Sequence, residues 1–321
     1  LTEYLDDFPK NCIYMRWNYF YPWAEGNLKT IDWYKENNLK VMGATAGQTR
    51  WVLMPQDYSN IESIKSFALT SVEKELDGLL LTLWDDDSPH FELYKRGIYA
   101  FANYTWYGQE LSSNEFKEKF NHRFFSPHLK NNNNFIDDLD DPVRDWANLF
   151  VVEKKHRNQI SKNKNSIETH LIKLPDNNSK GEWTKNNSKK IEKAKNHSSN
   201  LKIILEKIEE LKTKTIRNNY ALDVYEQVAK LAKFSYDALL TLEGFDKGEI
   251  SIENVLKLNQ KFSDFRLEFE KVYSKTRNIN KADSYILDQD HHNHTANQSL
   301  NMDWQFIAEL KLFEKIKLNY E

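Results

Sequence analysis

The chain has 321 residues, 40% of them hydrophobic and 29% charged, with a formal net charge of −3. That length suggests two domains of ordinary size, and that composition suggests a folded chain. The near-neutral charge excludes bulk attraction to nucleic acid or acidic lipid, no apolar run approaches the roughly 18–20 residues of a membrane span, and the single cysteine, Cys12, excludes an internal disulfide framework.

The chain opens on Leu1 without a charged, then apolar, leader. A processed or truncated start is expected, with any targeting signal upstream. Cys12 to Trp17 reads as a strand, Leu28 to Glu36 as a short helix ended near Asn37 and Asn38, and Lys40 to Thr45 as a second strand. Ser59 to Leu76 carries Ile61, Ile64, Phe67, Ala68, Val72 and Leu76 at helical spacing. Leu79 to Trp84 is a near-continuous apolar run, the pattern of a strand buried on both faces. Phe91 to Trp106 is helical again, with Phe91, Tyr94, Ile98, Phe101, Ala102 and Trp106 on a common side. Strand and helix alternating in this way predict parallel strands with right-handed crossovers. Either the three strands form an open α/β layer or more strands precede them; a central parallel strand without a partner on one side exposes unpaired backbone groups, which favours the second.

After Leu111 glycine becomes rare and Lys, Glu and Asn dominate. Pro142 is expected to open a helix behind Asp141. Four apolar stripes follow: Leu201 to Leu211, Leu222 to Leu239, Val255 to Val272 and Trp304 to Ile316. They predict a helical bundle. The expected fold class is therefore α/β followed by all-α: residues 1–112 as the last three β/α units of a TIM (β/α)8 barrel, and residues 113–321 as a helical-bundle domain.

Ligands of parallel α/β architectures sit at the carboxyl ends of the strands. Trp17, Asn18, Tyr19, Tyr21 and Trp23 follow the first strand; Gln48, Thr49, Arg50 and Trp51 follow the second; Trp84, Asp85, Asp86, Asp87, Ser88, Pro89 and His90 follow the third. Aromatic faces beside amides and carboxylates suit a sugar, whose C–H faces stack and whose hydroxyls need hydrogen bonds. The alternative is that these rings pack strand–helix seams. Three adjacent carboxylates after a strand are costly unless used. Asp87 or Ser88 can cap the next helix, which leaves Asp86 to a ligand.

The run from Gly78 to Gly108, GLLLTLWDDDSPHFELYKRGIYAFANYTWYG, resembles the last strand and helix of family 20 glycoside hydrolases, the β-N-acetylhexosaminidases. In that family the last strand ends in a tryptophan that walls the N-acetylglucosamine pocket, followed two residues on by an acid that binds sugar hydroxyls. Those positions are Trp84 and Asp86 here, with Asp where Glu is commoner. The resemblance extends less specifically to Trp17 and Trp51 as pocket residues, and Tyr19 joins the expected substrate-binding set from its place after the first strand. The ending YILDQDHHNHTANQSLNMDWQF looks like the helical extension of some bacterial members.

The resemblance implies hydrolysis of terminal β-linked N-acetylhexosamine, in which the substrate's acetamido group acts as nucleophile. The family's catalytic Asp-Glu pair has no counterpart, since no Asp-Glu dipeptide occurs in the chain. No catalytic residue is therefore assigned, and the expected role is one wall of the sugar pocket. The alternatives are a non-catalytic carbohydrate-binding protein and a helical protein-interaction module. By the same resemblance the compartment is periplasmic or extracellular. No cofactor is expected. His291, His292 and His294 lack further paired ligands and are expected to link the last two helices rather than bind metal. Lys185 to Lys195 reads as a solvated helix face, without the aromatic interleaving of a nucleic-acid site.

Overall fold

A computed structural model of the chain describes residues 2–47, 53–55, 61–84, 91–107, 111–129, 134–155, 157, 160, 164–176, 178–286 and 299–321. They fall into two units, one drawn from residues 1–133 and one built on Asn134–Glu321.

In the first unit, β1 (Ile13–Trp17), α1 (Glu25–Glu36), β2 (Lys40–Ala46), α2 (Ile61–Glu73), β3 (Gly78–Thr82), a 3-10 turn (Phe91–Tyr94), α3 (Lys95–Tyr107) and α4 (Ser113–Phe124) follow in order. The strands form a parallel sheet in the order β1-β2-β3. Asp77 sets the start of β3: its N–H donates to the Val41 carbonyl at 2.9 Å, and its carboxylate accepts from the Val41 N–H at 2.8 Å. Gly43 permits α2 to close on the sheet, because a Cβ there would lie 2.7 Å from both Leu79 and the Phe67 ring. The Lys74 ammonium reaches the Asp32 carboxylate at 2.8 Å and ties α2 to α1.

Three expectations are corrected in this unit. The first is the barrel. A (β/α)8 barrel closes eight tilted strands. The described residues hold only a small three-stranded sheet, open at β1 and β3, in a chain dominated by helix. That is a small parallel sheet beside helices rather than three β/α units of a barrel. Alternating apolar runs and amphipathic stretches are local signals, and they carry no information on strand number or closure.

The second correction is β3. It is not buried on both faces, for Leu80 is exposed. The register places Trp17, Ala44 and Leu80 on one face, two residues along from Met15 and Met42. Met15, Trp17 and Leu80 leave that face apolar and open to solvent. The third is the stripe from Phe91 to Trp106: Tyr94 is buried as expected, but α3 turns Gly97, Ala100 and Tyr104 inward and leaves Trp106 88% exposed. Helix α3 packs against α2, and its buried positions include Arg96, Gly97 and Ala100 beside Tyr104, a set that apolar spacing does not single out.

Helix α4 begins with a capping box, in which Ser112 accepts from the Glu115 N–H and the Glu115 carboxylate accepts from the Ser112 N–H. Its inward face is phenylalanine, with Phe120 and Phe124 stacked at 4.9 Å.

The second unit is helical: α5 (Phe135–Asp138), α6 (Asp140–Trp146), α7 (Lys164–His170), α8 (Glu182–Asn186), α9 (Ser188–Lys214), α10 (Asn219–Lys247), α11 (Ile252–Tyr273), a 3-10 turn (Met302–Phe306) and α12 (Ile307–Tyr320). Helix α6 starts at Asp140 rather than Pro142, and Pro142 still falls in the first turn, where its missing N–H costs nothing. Helix α10 packs against α9, α11, α6 and α8, and its apolar stripe Leu222, Tyr225, Val228, Ala232 and Leu239 is buried. It ends at Gly248, which has φ +77°. The chain then folds Ile250 back over Gly244, whose Cβ would meet Ile250 at 2.6 Å.

A polar chain crosses this apolar interior. Trp146 Nε1 donates to Ser235 Oγ at 3.1 Å, and Ser235 Oγ donates to Glu309 Oε1 at 2.9 Å. The other Glu309 oxygen pairs with Arg157, whose guanidinium lies 3.5 Å from the centre of the Trp146 ring. Glu309 is fully buried, and both of its carboxylate oxygens have partners.

Candidate functional site

The carboxyl ends of β1 and β3 carry an aromatic cluster. Trp17 is the last residue of β1, and its ring meets Trp84 at 6.0 Å and Tyr19 at 6.1 Å. Tyr19 in turn meets Trp84 at 6.0 Å, so the three rings form a closed triangle. Trp17 is 50% exposed, which leaves indole surface open to a ligand.

The backbone beneath is firmly paired. The sheet ladder continues past the strand ends, with the Asn18 N–H donating to the Ala44 carbonyl at 3.0 Å and the Gly47 N–H to the Thr82 carbonyl at 2.8 Å. Trp84 is held from two sides. Its Nε1 donates to Thr82 Oγ1 at 3.0 Å, and its carbonyl accepts from the Tyr94 hydroxyl at 3.2 Å. Thr82 Oγ1 donates onward to the Thr45 carbonyl at 3.0 Å. Trp84 is thereby oriented by its neighbours and spends its N–H internally, so it offers a ligand its ring face. The Tyr19 hydroxyl is buried without a hydrogen-bond partner among the described residues. Such a group costs about 1–3 kcal/mol until it is paired.

Of the sequence-derived candidates, Trp17, Tyr19 and Trp84 come together. Trp51 and Asp86 lie outside the described residues, as do Gln48 to Arg50, Asp85, Asp87 to His90, and His291, His292 and His294. Sequence reasoning passed over Thr82 and Tyr94, the groups that orient Trp84. A threonine two residues before a strand-end tryptophan was a readable signal; Tyr94 was taken only as a core residue.

The second unit holds titratable groups in structural roles. Burial pushes the Asp145 carboxyl up, and hydrogen bonds from His197 and Lys193 outweigh it and hold the group down at about 2. Burial and the charge of Lys193 push the Lys190 ammonium down to about 8, opposed by Asp145. Lys190 donates to the carbonyls of Asn148, Leu149 and Val151, closing the turn after α6. A cavity of 190 Å³ beside Lys180 and Gly248 is lined in part by Asp246, whose carboxylate caps α8 through the Thr184 N–H at 2.9 Å. Among the described residues no group of three His, Cys, Asp or Glu side chains could hold a metal ion, and no helix is long and apolar enough to cross a membrane.

Comparison with protein-family models gives no match, and a search of curated protein sequences gives none either.

Proposed function

We propose that this chain supplies one wall of the sugar pocket of a glycoside hydrolase that removes terminal β-linked N-acetylhexosamine by substrate-assisted retaining hydrolysis. The observation that carries the reading is the triangle of Trp17, Tyr19 and Trp84 at the carboxyl ends of parallel strands. That is where ligands of parallel α/β sheets bind, and partly exposed indoles are the surface on which the C–H face of a pyranose stacks. Trp17 and Trp84 serve as walls, and Tyr19 packs edge to face against Trp84. Asp86 and Trp51, from the sequence pattern, complete the binding set.

In this reading the wall binds and another segment catalyses. The chain contains no Asp-Glu dipeptide, so in this reading no residue of it is assigned as the general acid of the scheme. The same fact favours a second reading, a carbohydrate-binding protein without hydrolytic activity.

The test is a titration of the 321-residue chain with N-acetylglucosamine, followed by tryptophan fluorescence, beside an assay on a chromogenic N-acetyl-β-glucosaminide. The proposal predicts binding without turnover by this chain, and turnover by a longer chain that joins it to an Asp-Glu pair. Binding without turnover in both supports the second reading. Turnover by the 321-residue chain would place an acid within it, with Asp85 to Asp87 the first suspects.

A further inference from the structure

We infer that the cavity at the turn from α10 to α11 binds a small zwitterionic amino acid, whose ammonium group is taken by Asp246 and Asp176 and whose carboxylate is taken by Lys180 and the first turn of α11. The site lies wholly within the helical unit and is independent of the saccharide reading above.

The turn builds the site. Helix α10 ends at Gly248, and the Glu249 and Ile250 N–H groups both donate back to the Gly244 carbonyl, at 2.8 and 3.1 Å. Phe245 and Asp246, the last turn of α10, and Ser251 and Ile252, the start of α11, thereby border one cavity of 190 Å³. Asp176 and Lys180, from the segment before α8, border it as well.

The negative wall is Asp246, which is only 3% exposed. Its Oδ2 accepts from the Thr184 N–H at 2.9 Å, and that bond accounts for its structural role. Its Oδ1 is buried with no hydrogen-bond partner among the described residues. A buried carboxylate oxygen left unpaired is costly, and what answers it is a donor or a cation. Asp176 adds a second carboxylate. Burial and the charges of Asp176 and Asp246 push the Tyr320 hydroxyl up to about 12, so both charges are felt at one place.

The positive wall is Lys180 and α11. The Lys180 ammonium crosses the end of α10, 3.1 Å from where a Cβ on Gly248 would stand, and has no hydrogen bond or ion pair among the described residues. Helix α11 runs for 22 residues, and Ser251 gives it no side-chain cap. The Glu253 carboxylate accepts from the Ser251 hydroxyl and from its own N–H. The Ile252 N–H is left without an acceptor among the described residues. Free N–H groups at the positive end of a long helix favour a carboxylate.

A bare cation would satisfy Asp246 and be repelled by Lys180, and a bare anion would meet the reverse. A molecule that carries both charges answers both walls. At about 30 Å³ for each water, the cavity has room for about six non-hydrogen atoms, the size of alanine. Phe245, Ile250 and Ile252 make up the apolar part of the lining and suit a short aliphatic side chain.

The experiment is calorimetric titration of the 321-residue chain with L-alanine and with its two halves, ethylammonium and propionate. Alanine is expected to bind, and each half to bind at least about tenfold more weakly. Asp246→Asn keeps an acceptor for the Thr184 N–H and removes the charge, and it should weaken alanine about tenfold or more at an unchanged circular dichroism spectrum. Lys180→Met, at an exposed position, should weaken it about tenfold without touching the fold. No binding of alanine by the wild type would show a cavity that holds water alone and would overturn the proposal. Ethylammonium or propionate binding as tightly as alanine would overturn it in favour of a simple cation or anion site. Alanine binding unchanged in Lys180→Met would place the amino acid elsewhere and overturn it too.

Discussion

Trp17 and Trp84 meet edge to face at 6.0 Å although their strands, β1 and β3, are not neighbours in the sheet. The strand between them makes this possible. Ala44 of β2 sits in register between Trp17 and Leu80, and both Ala44 and Ala46 are buried. A methyl group leaves room for two indoles to close over β2, and a larger side chain would fill that room.

Ala44→Leu should therefore separate the indoles. Extra methylenes in a packed site cost about 1–3 kcal/mol. The expected outcome is a lower urea midpoint together with weakened N-acetylglucosamine binding. Binding that survives unchanged would show that the rings do not depend on this spacing.

Gly43→Ala should destabilise the first unit without touching the aromatic cluster directly. Its new methyl would lie 2.7 Å from Leu79 and from the Phe67 ring. A loss of about 1–3 kcal/mol is expected from chemical denaturation. Gly26→Ala is the control, because nothing lies within 4 Å of a Cβ there.

In the helical unit, Glu309→Ala removes the carboxylate that pairs with Arg157 and one acceptor of the Ser235 hydroxyl. Breaking a buried pair from one side costs about 3–5 kcal/mol. The paired replacement Arg157→Met with Glu309→Leu should recover much of that loss. Equal destabilisation by the single and double variants would show that packing, not the unpaired charge, sets the cost.

Asp145 makes stability depend on acidity. Its folded-state pKa of about 2 lies below the ordinary 3.8, so its contribution is fully present above 3.8 and is lost as pH falls through 2. A thermal-melting series between those values should show the helical unit weakening. Asp145→Asn should flatten that part of the profile, and His197→Ala should move the loss to higher pH.

Much of this architecture is legible in the sequence because it is written locally. The stripe Leu222 to Leu239 has helical spacing and is buried as that spacing requires. The strand-end rule puts Trp17 and Trp84 on the same rim, where their rings meet. Barrel closure was misread, since three apolar runs look alike in an open sheet and in part of a barrel. The inward face of α3 was misread because its buried positions include Arg96, Gly97 and Ala100, which apolar spacing does not single out. The groups that orient Trp84, and the hydrogen bonds from Arg16 to Asn27 and from Asn27 to Pro22, depend on contacts between segments that spacing does not encode.

The most direct test of the central claim is the affinity of N-acetylglucosamine for the wild-type chain and for Trp84→Ala. Stacking on one well-placed indole contributes about 0.5–1.5 kcal/mol beyond the area it buries, so the variant should bind roughly tenfold more weakly while keeping the wild-type circular dichroism spectrum. Equal affinity in the two proteins, or no binding by the wild type, would contradict the claim that this aromatic triangle is a sugar-binding wall.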